Sequence, residues 1–227
     1  MTAKAADLAH VRWLGGSACA GKTTVARRLA ERCGLSLYST DDAFAAHRER
    51  ADPHRHPVFC RLMDRPAEVL WKAPPEEQAA ELLAFYEDEL QMVVDDVLAL
   101  PRERPVLVEG VGLLPARLAP LLAAPGHALW LIATPELRRN RYPERGSYVQ
   151  ELLARCADPA QAFARWMERD DRVAAKLGED AAARGLAWIS VDGERDVGAV
   201  VEEAERRLGL SAEATSVSRS GGEPRQE

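Results

Sequence analysis

An α/β fold, with a five-stranded parallel sheet covered by helices on both faces, is predicted by two features of this 227-residue sequence. Five short segments are apolar almost throughout, as strands buried on both faces must be, and they alternate with longer stretches of helical period. The first of these segments also runs straight into a glycine-rich turn and then a helix. Residues 10–15 form the expected first strand and 22–33 the first helix, which Gly34 closes. Residues 35–38 read as a second strand, followed by Ser39, Thr40, Asp41 and Asp42, whose side chains are placed to cap a helix over 43–50. The span 52–75 carries Pro53, Pro57, Pro66, Pro74 and Pro75, which predicts a loop-rich excursion with short helical pieces.

From 76 to 98 the apolar positions Leu82, Tyr86, Leu90, Val93 and Val97 recur every three to four residues, so a long helix with a carboxylate-rich outer face should pack on the sheet. Residues 105–109, 128–133 and 187–191 supply the remaining strands, and 135–141, 147–156, 158–184 and 196–208 the remaining helices. One domain over 10–210 is expected, with a polar, disordered tail at 211–227 that has too little apolar surface to offset its ordering entropy.

Composition narrows the class. With 47% hydrophobic and 29% charged residues the chain is an ordinary globular one, and its net charge of −6 offers no field to attract a nucleic acid or an acidic membrane surface. Cys19, Cys33, Cys60 and Cys156 form no C-x-x-C pair, which suits free thiols in a reducing compartment. Residues 1–9 lack the pattern of a signal peptide and no apolar run approaches about 18 residues, so a soluble cytoplasmic protein is expected.

Chemistry concentrates in Gly16-Ser-Ala-Cys-Ala-Gly21-Lys22-Thr23, which fits G-x-x-x-x-G-K-[ST]. Glycines let the backbone N–H groups turn inward around a phosphate at a helix N-terminus, whose dipole also favours the anion. Gly16, Ser17, Ala18, Cys19, Ala20, Gly21, Lys22, Thr23 and Thr24 are therefore expected to bind a nucleotide triphosphate. Lys22 would reach the β- and γ-phosphates and the Thr23 hydroxyl would ligate Mg²⁺. The chain has only four lysines, so one in a glycine loop stands out.

The loop, an acid just after the second strand, Val108-Glu109-Gly110 in the third and arginines after the fourth together resemble the P-loop kinases of small molecules. That superfamily includes nucleoside, nucleoside monophosphate, shikimate and gluconate kinases and chloramphenicol phosphotransferase. The resemblance covers residues 11 to about 208 and implies ATP and Mg²⁺ as cofactors, strand order 2-3-1-4-5 and a helical lid over 135–147. It also implies that the 52–75 excursion helps bind a small-molecule acceptor. Tyr38-Ser-Thr-Asp41-Asp42-Ala-Phe44 is similar to the Ser-x-Asp-Asp-Phe segment of uridine kinases, which implies Asp41 as catalytic base; the register of adenylate kinases would choose Asp42 instead.

By the same resemblance Glu109 binds Mg²⁺ or substrate, Arg141 and Arg145 of the set Arg138, Arg139, Arg141 and Arg145 serve as catalytic lid cations, and Val191-Asp-Gly193 lies on the adenine side. Arg61, Arg65 and Trp71 face either an acceptor or the protein's own surface and core, with Arg61 taken as substrate-binding. His54-Arg-His56 has no nearby third ligand and reads as loop rather than metal site. Cys19 is either a small filler or a thiol made acidic by the helix N-terminus.

Nucleoside monophosphate kinases carry Asp-Gly-Phe-Pro-Arg at the third strand and an arginine three residues after the second-strand aspartate. This chain has Glu109-Gly-Val-Gly-Leu-Leu-Pro115 and Ala45, so its acceptor is expected to be a hydroxyl compound that is not a phosphate ester, unless Arg48, Arg61 or Arg65 restores a clamp. A nucleoside monophosphate acceptor, or a P-loop ATPase or switch with a protein partner, stays as the alternative. The guanine-reading tetrapeptide Asn-Lys-x-Asp does not occur.

Overall fold

A computed structural model describes residues 3–66, 69 and 71–210; the tail expected at 211–227 lies outside them. The strands are β1 (Val11–Gly16), β2 (Ser36–Ser39), β3 (Val106–Glu109), β4 (Ala128–Ala133) and β5 (Ala187–Val191). The helices that matter for the site are α1 (Lys22–Cys33), α2 (Thr40–Arg50), α3 (Pro57–Met63), α4 (Pro75–Ala99), α5 (Pro115–Leu118), α6 (Pro135–Arg141), α7 (Ser147–Leu153), α8 (Pro159–Ala183) and α9 (Val197–Arg207). All five strands are parallel in the order β2-β3-β1-β4-β5, the order that the resemblance implies.

Alternation along each central strand divides the core into two layers. Val11, Trp13, Val106, Val108 and Trp130 point to one face and pack with Leu90, Val93 and Val97 of α4 and Ala181 of α8. Leu14, Leu107, Leu129 and Leu131 point to the other and pack with Val25, Ala26 and Leu29 of α1 and Val200, Val201 and Ala204 of α9. The edge strands are less buried than a fully apolar reading predicts: Leu37 on β2 and Trp188 on β5 are exposed, because each edge strand has one neighbour rather than two. Among the described residues no helix is long and apolar enough to cross a membrane.

Topology sets where a ligand belongs. The chain leaves β1 toward β2 on one side and later passes to β4 on the other, and crevices form at the carboxyl ends of strands flanking such a reversal. Register brings those ends together: Leu14 and Ser39 both lie opposite Glu109, and Gly16 lies opposite Leu131.

Two sequence expectations change here. The carboxylates of α4 do not all face outward, since Asp88 and Glu89 are buried. Asp88 accepts hydrogen bonds from the Val58 and Phe59 amides at 2.8 and 3.1 Å, which satisfies free N–H groups at the start of α3. Glu89 meets His47 Nδ1 at 3.2 Å, and the opposite ring nitrogen meets Asp96 at 3.0 Å. Nor does Ser39 cap α2 with its side chain; Asp41 and Asp42 instead sit within the first turn.

The seam between α3 and α4 is therefore polar and specific. Asp88→Ala should lower stability by about 1–2 kcal/mol, the range for losing an aspartate that serves helix-end amides. A shifted urea midpoint at unchanged m-value would show it.

Candidate active site

The phosphate loop joins β1 to α1 and is held by close backbone contact. Gly16 has φ of 133°, and a Cβ there would sit 1.9 Å from the Leu131 carbonyl oxygen, so no side chain fits. The next amide, Ser17 N, donates to Leu131 O at 2.9 Å, and Ser17 Oγ accepts from Ala133 N at 2.8 Å, which fastens the loop to β4. Cys19 has φ of 61°, the one positive value at a non-glycine position among the described residues. Such strain persists where surroundings over-determine it, commonly at functional sites. Gly21, with φ of 78°, faces open space and turns the chain into α1.

A cavity of about 480 Å³ opens over this loop. Ser17, Ala18, Cys19, Gly21, Lys22, Thr23 and Thr24 line it, together with Asp41, Glu109, Arg141 and Arg145. Of the loop residues expected to bind a nucleotide, Gly16 and Ala20 do not line it; Gly16 abuts Leu131, and Ala20 is buried in the core layer of α1.

Lys22 is buried and its Nζ donates to Ser17 O at 2.8 Å. Burial lowers its pKa to about 8, while the Glu109 and Asp41 carboxylates act in the opposite direction. Glu109, 2% exposed, has the mirror problem: burial raises its pKa and Lys22 pulls it back down. Thr23 Oγ1 and Ser39 Oγ both donate to Glu109 Oε1, at 3.1 and 3.0 Å, and no hydrogen bond to Oε2 is present among the described residues. The glycine after it is also required, because a Cβ at Gly110 would lie 2.1 Å from Thr40 Oγ1.

The four arginines after β4 divide into two pairs. Arg138 is fully buried, donating to Ala133 O at 2.8 Å and to Asp171 at 2.6 Å, and Arg139 reaches the same carboxylate, so this pair braces α6 against α8. Arg141 and Arg145 face the cavity. Helix α6 ends at Arg141 and a short 3₁₀ turn, Tyr142–Glu144, carries the chain on to Arg145, whose guanidinium lies over the Tyr142 ring at 5.6 Å.

A second chamber of about 300 Å³ adjoins the first. Asp41, Leu82, Tyr86, Val111 and Arg169 line both. Phe44, Leu62, Met63 and Phe85 complete an apolar wall, and Gln78, Glu81 and Glu89 add polar groups. Asp42 lines neither cavity, which separates the two aspartates that sequence left open. Arg61 is outside the lining too; it lies 3.6 Å from Glu81, which Arg65 also holds with two hydrogen bonds.

Several contributors were not singled out from the sequence. Arg169 and Asp170 interrupt the apolar stripe Ala162, Trp166, Val173, Leu177 of α8, and Gln78 and Glu89 share the stripe of Leu82 and Tyr86 on α4. Charged residues at core-facing helical positions were the available signal. Trp71 belongs to an aromatic cluster rather than to the acceptor, stacking on Trp166 at 4.6 Å, with Tyr142 OH donating to Asp170 at 2.5 Å. Cys19 packs on that cluster, and burial raises its pKa, so the acidic-thiol reading is corrected in favour of a filler. His56 Nδ1 accepts from Asp52 N at 3.0 Å, a loop contact. Asp192 accepts from Glu194 N and, like Val191 and Gly193, lies outside both cavities.

No protein-family model matches the chain, and no curated protein matches it. Among solved structures it is similar to a shikimate kinase from Acinetobacter baumannii in complex with shikimate, at 16% identity over 93% of this chain and 97% of that one, with a TM-score of 0.43. An unliganded sugar kinase from Janibacter sp. HTCC2649 is 17% identical over 91% and 98%, with a TM-score of 0.47. A deoxyadenosine kinase from M. mycoides with bound dATP is 11% identical over 88% and 98%, with a TM-score of 0.45. Similarity at this level says nothing of substrate or chemistry.

The loop geometry separates two glycines. Gly16→Ala should cost about 3 kcal/mol or more and Gly21→Ala only about 1–2, read as thermal melting shifts, because the first meets backbone and the second only its own positive φ. Lys22 gives a pH signature. Its folded pKa of about 8 lies below the ordinary 10.5, so the unfolded chain holds the extra proton between these values and stability should rise with pH across that window. Urea unfolding below pH 8 and near pH 10.5 should show Lys22→Met losing on the order of 3 kcal/mol of that rise.

Proposed function

We propose that this chain is an ATP-dependent phosphotransferase that moves the γ-phosphoryl group to a hydroxyl of a small molecule, such as a nucleoside, a sugar derivative or an antibiotic. The observation that carries the reading is the position of Asp41, on the shared wall between a cavity built on a phosphate loop and a separate apolar chamber. A switch or motor that hydrolyses ATP for a protein partner has no need of that second chamber.

The residues fit a magnesium nucleotide. Loop amides and the α1 N-terminus offer donors to the phosphates, while the Thr23 hydroxyl and the Glu109 carboxylate offer adjacent hard oxygens. Among the described residues no cluster of three or more His, Cys, Asp or Glu side chains could hold a metal by itself. Thr23 and Glu109 would thus hold Mg²⁺ jointly with the phosphates; when bound, the ion neutralises charge on the phosphate oxygens.

The chain's own groups then divide the work. Asp41 makes no hydrogen bond or ion pair among the described residues, so its carboxylate is available to orient the acceptor hydroxyl and take its proton. The acceptor oxygen forms the new bond to the γ-phosphorus as the bond to the bridging oxygen of ADP breaks. Lys22, Arg141 and Arg145 surround the charge on the moving group, and Arg141 has no other ion pair among the described residues.

A phosphate-bearing acceptor is disfavoured by the same geometry. Arg48 and Arg61 do not line the second chamber, and Arg65 is committed to Glu81, so none of the three forms a clamp.

Lys22→Ala should abolish ATP-dependent transfer with the fold retained by circular dichroism. Asp41→Asn should lower kcat by about 10²–10⁴ while leaving the Kd for MgATP within a few-fold, and Asp42→Asn should change neither. Turnover unaffected by Asp41→Asn would remove that residue from the base role.

A further inference from the structure

Resting on the phosphotransfer reading, the second chamber narrows the class of acceptor. We propose that it selects an uncharged hydroxyl compound with an aromatic or otherwise apolar body, and rejects ionised compounds and polyols of similar size.

Charge is the first criterion. Glu81 is held by two hydrogen bonds from Arg65, and Glu89 meets His47 Nδ1 at 3.2 Å. Arg169 is balanced by Asp170, which accepts from its Nε at 2.8 Å and lies 2.7 Å from its Nη2; the guanidinium also lies over the Trp71 ring at 4.9 Å. Of the charged residues lining the chamber, only Asp41 has no partner among the described residues, and it is reserved for the reacting hydroxyl. An ionised substituent carried into the chamber would lose its water and gain no free counter-charge.

Available surface is the second. Gln78, Thr40 and Glu89 are 2%, 4% and 5% exposed, and Gln78 turns its amide nitrogen to Ala73 O at 2.7 Å, so these polar residues leave a ligand little to touch. Phe44, Leu62, Met63, Leu82 and Val111 are only partly buried, and apolar groups supply most of the open wall. The hydroxyls of a polyol would be enclosed there without partners.

The polar groups that remain stand at one end. Asp41 and Tyr86 line both cavities. The Tyr86 hydroxyl makes no hydrogen bond among the described residues, and burial raises its pKa, so it stays a donor. A compound with one polar end at this pair and an apolar body beyond it satisfies both regions. The wall is firm enough to select for shape: Phe85 stacks on Phe59 at 4.6 Å, and Phe44 is tilted 42° to Phe85 at 6.4 Å, an arrangement that suits edge and offset contacts with a further ring. Gly112 adds no side chain, where a Cβ would stand 3.1 Å from Tyr86 Cδ1. An apolar cavity of roughly 150 Å³ holds benzene, so one of about 300 Å³ takes a ring with a short substituent or two fused rings.

Four acceptors of similar size test this: para-ethylbenzyl alcohol, which is neutral and aromatic, para-(hydroxymethyl)benzoate, which is anionic, para-(aminomethyl)benzyl alcohol, which is cationic, and xylitol, a neutral polyol. Binding is measured by calorimetry with a non-hydrolysable MgATP analogue present, and transfer by acceptor-dependent ADP release. The neutral aromatic alcohol should exceed each of the others by about tenfold or more in affinity and in kcat/KM. Met63→Lys, at a partly buried wall position, gives the chamber a free cation and should raise kcat/KM for the benzoate relative to the ethyl compound by about tenfold or more. An unchanged order in that variant would overturn the placement of the acceptor body in the chamber. Failure of the nucleotide analogue to bind by itself would sink the phosphotransfer reading. Nucleotide binding with no binding of the ethyl compound, or with the benzoate, the amine or xylitol equalling it, would sink this proposal alone.

Discussion

A carboxylate taken out of water at the end of an apolar strand sets the terms for this site. An isolated buried carboxylate costs several kcal/mol, and Glu109 avoids most of that through two hydroxyl donors on one oxygen and a buried lysine nearby. Those donors come from the first turn of α1 and the last residue of β2, so compensation is possible only when three strand ends are in register. The compensation is also incomplete. Burial opposes charge on Lys22 and on Glu109, and each favours charge on the other without forming an ion pair. A polyanion beside Lys22 and a cation beside Glu109 would relieve both, in keeping with the proposed magnesium nucleotide.

The two longest helices carry this site as extensions of the core. In α4, Val93 and Val97 pack on the sheet, while Leu82 and Tyr86, nearer its start, line the cavities. In α8, Ala181 packs in the core and Arg169 lines the cavities. Each helix therefore ties chamber geometry to the most buried part of the fold. The 52–75 excursion adds Leu62 and Met63 to the chamber and is held by Asp88 of α4, so a proline-rich segment is positioned by the helix it covers.

What the sequence revealed followed contact range. The phosphate loop was legible because its parts are contiguous and its requirements are backbone ones, two positive-φ glycines and a following helix. Strand order and the places of Glu109, Arg141 and Arg145 came through the resemblance, since no single residue specifies them. Arg138 and Arg139 could not be told from their neighbours, as Asp171, their partner, is more than thirty residues away. The second chamber was the least legible part: Phe44, Met63, Tyr86, Gly112 and Arg169 come from five separate segments. Its trace in the sequence was indirect, in glutamine, glutamate, arginine and aspartate placed where helical period calls for core residues.

The adjoining cavities differ in which of their charges are already engaged. On the loop side Lys22, Arg141 and Arg145 stand among the carboxylates of Glu109, Glu144 and Asp170, whereas the second chamber is largely apolar, with Glu81 held by Arg65 and Glu89 by His47. A triphosphate placed wrongly in the chamber would find no uncommitted cation among the described lining residues. That lack discriminates as effectively as attraction over the loop, because specificity is a difference between right and wrong placements. Asp41 stands at the boundary and makes no hydrogen bond or ion pair among the described residues, so the proposed nucleotide and acceptor meet at it.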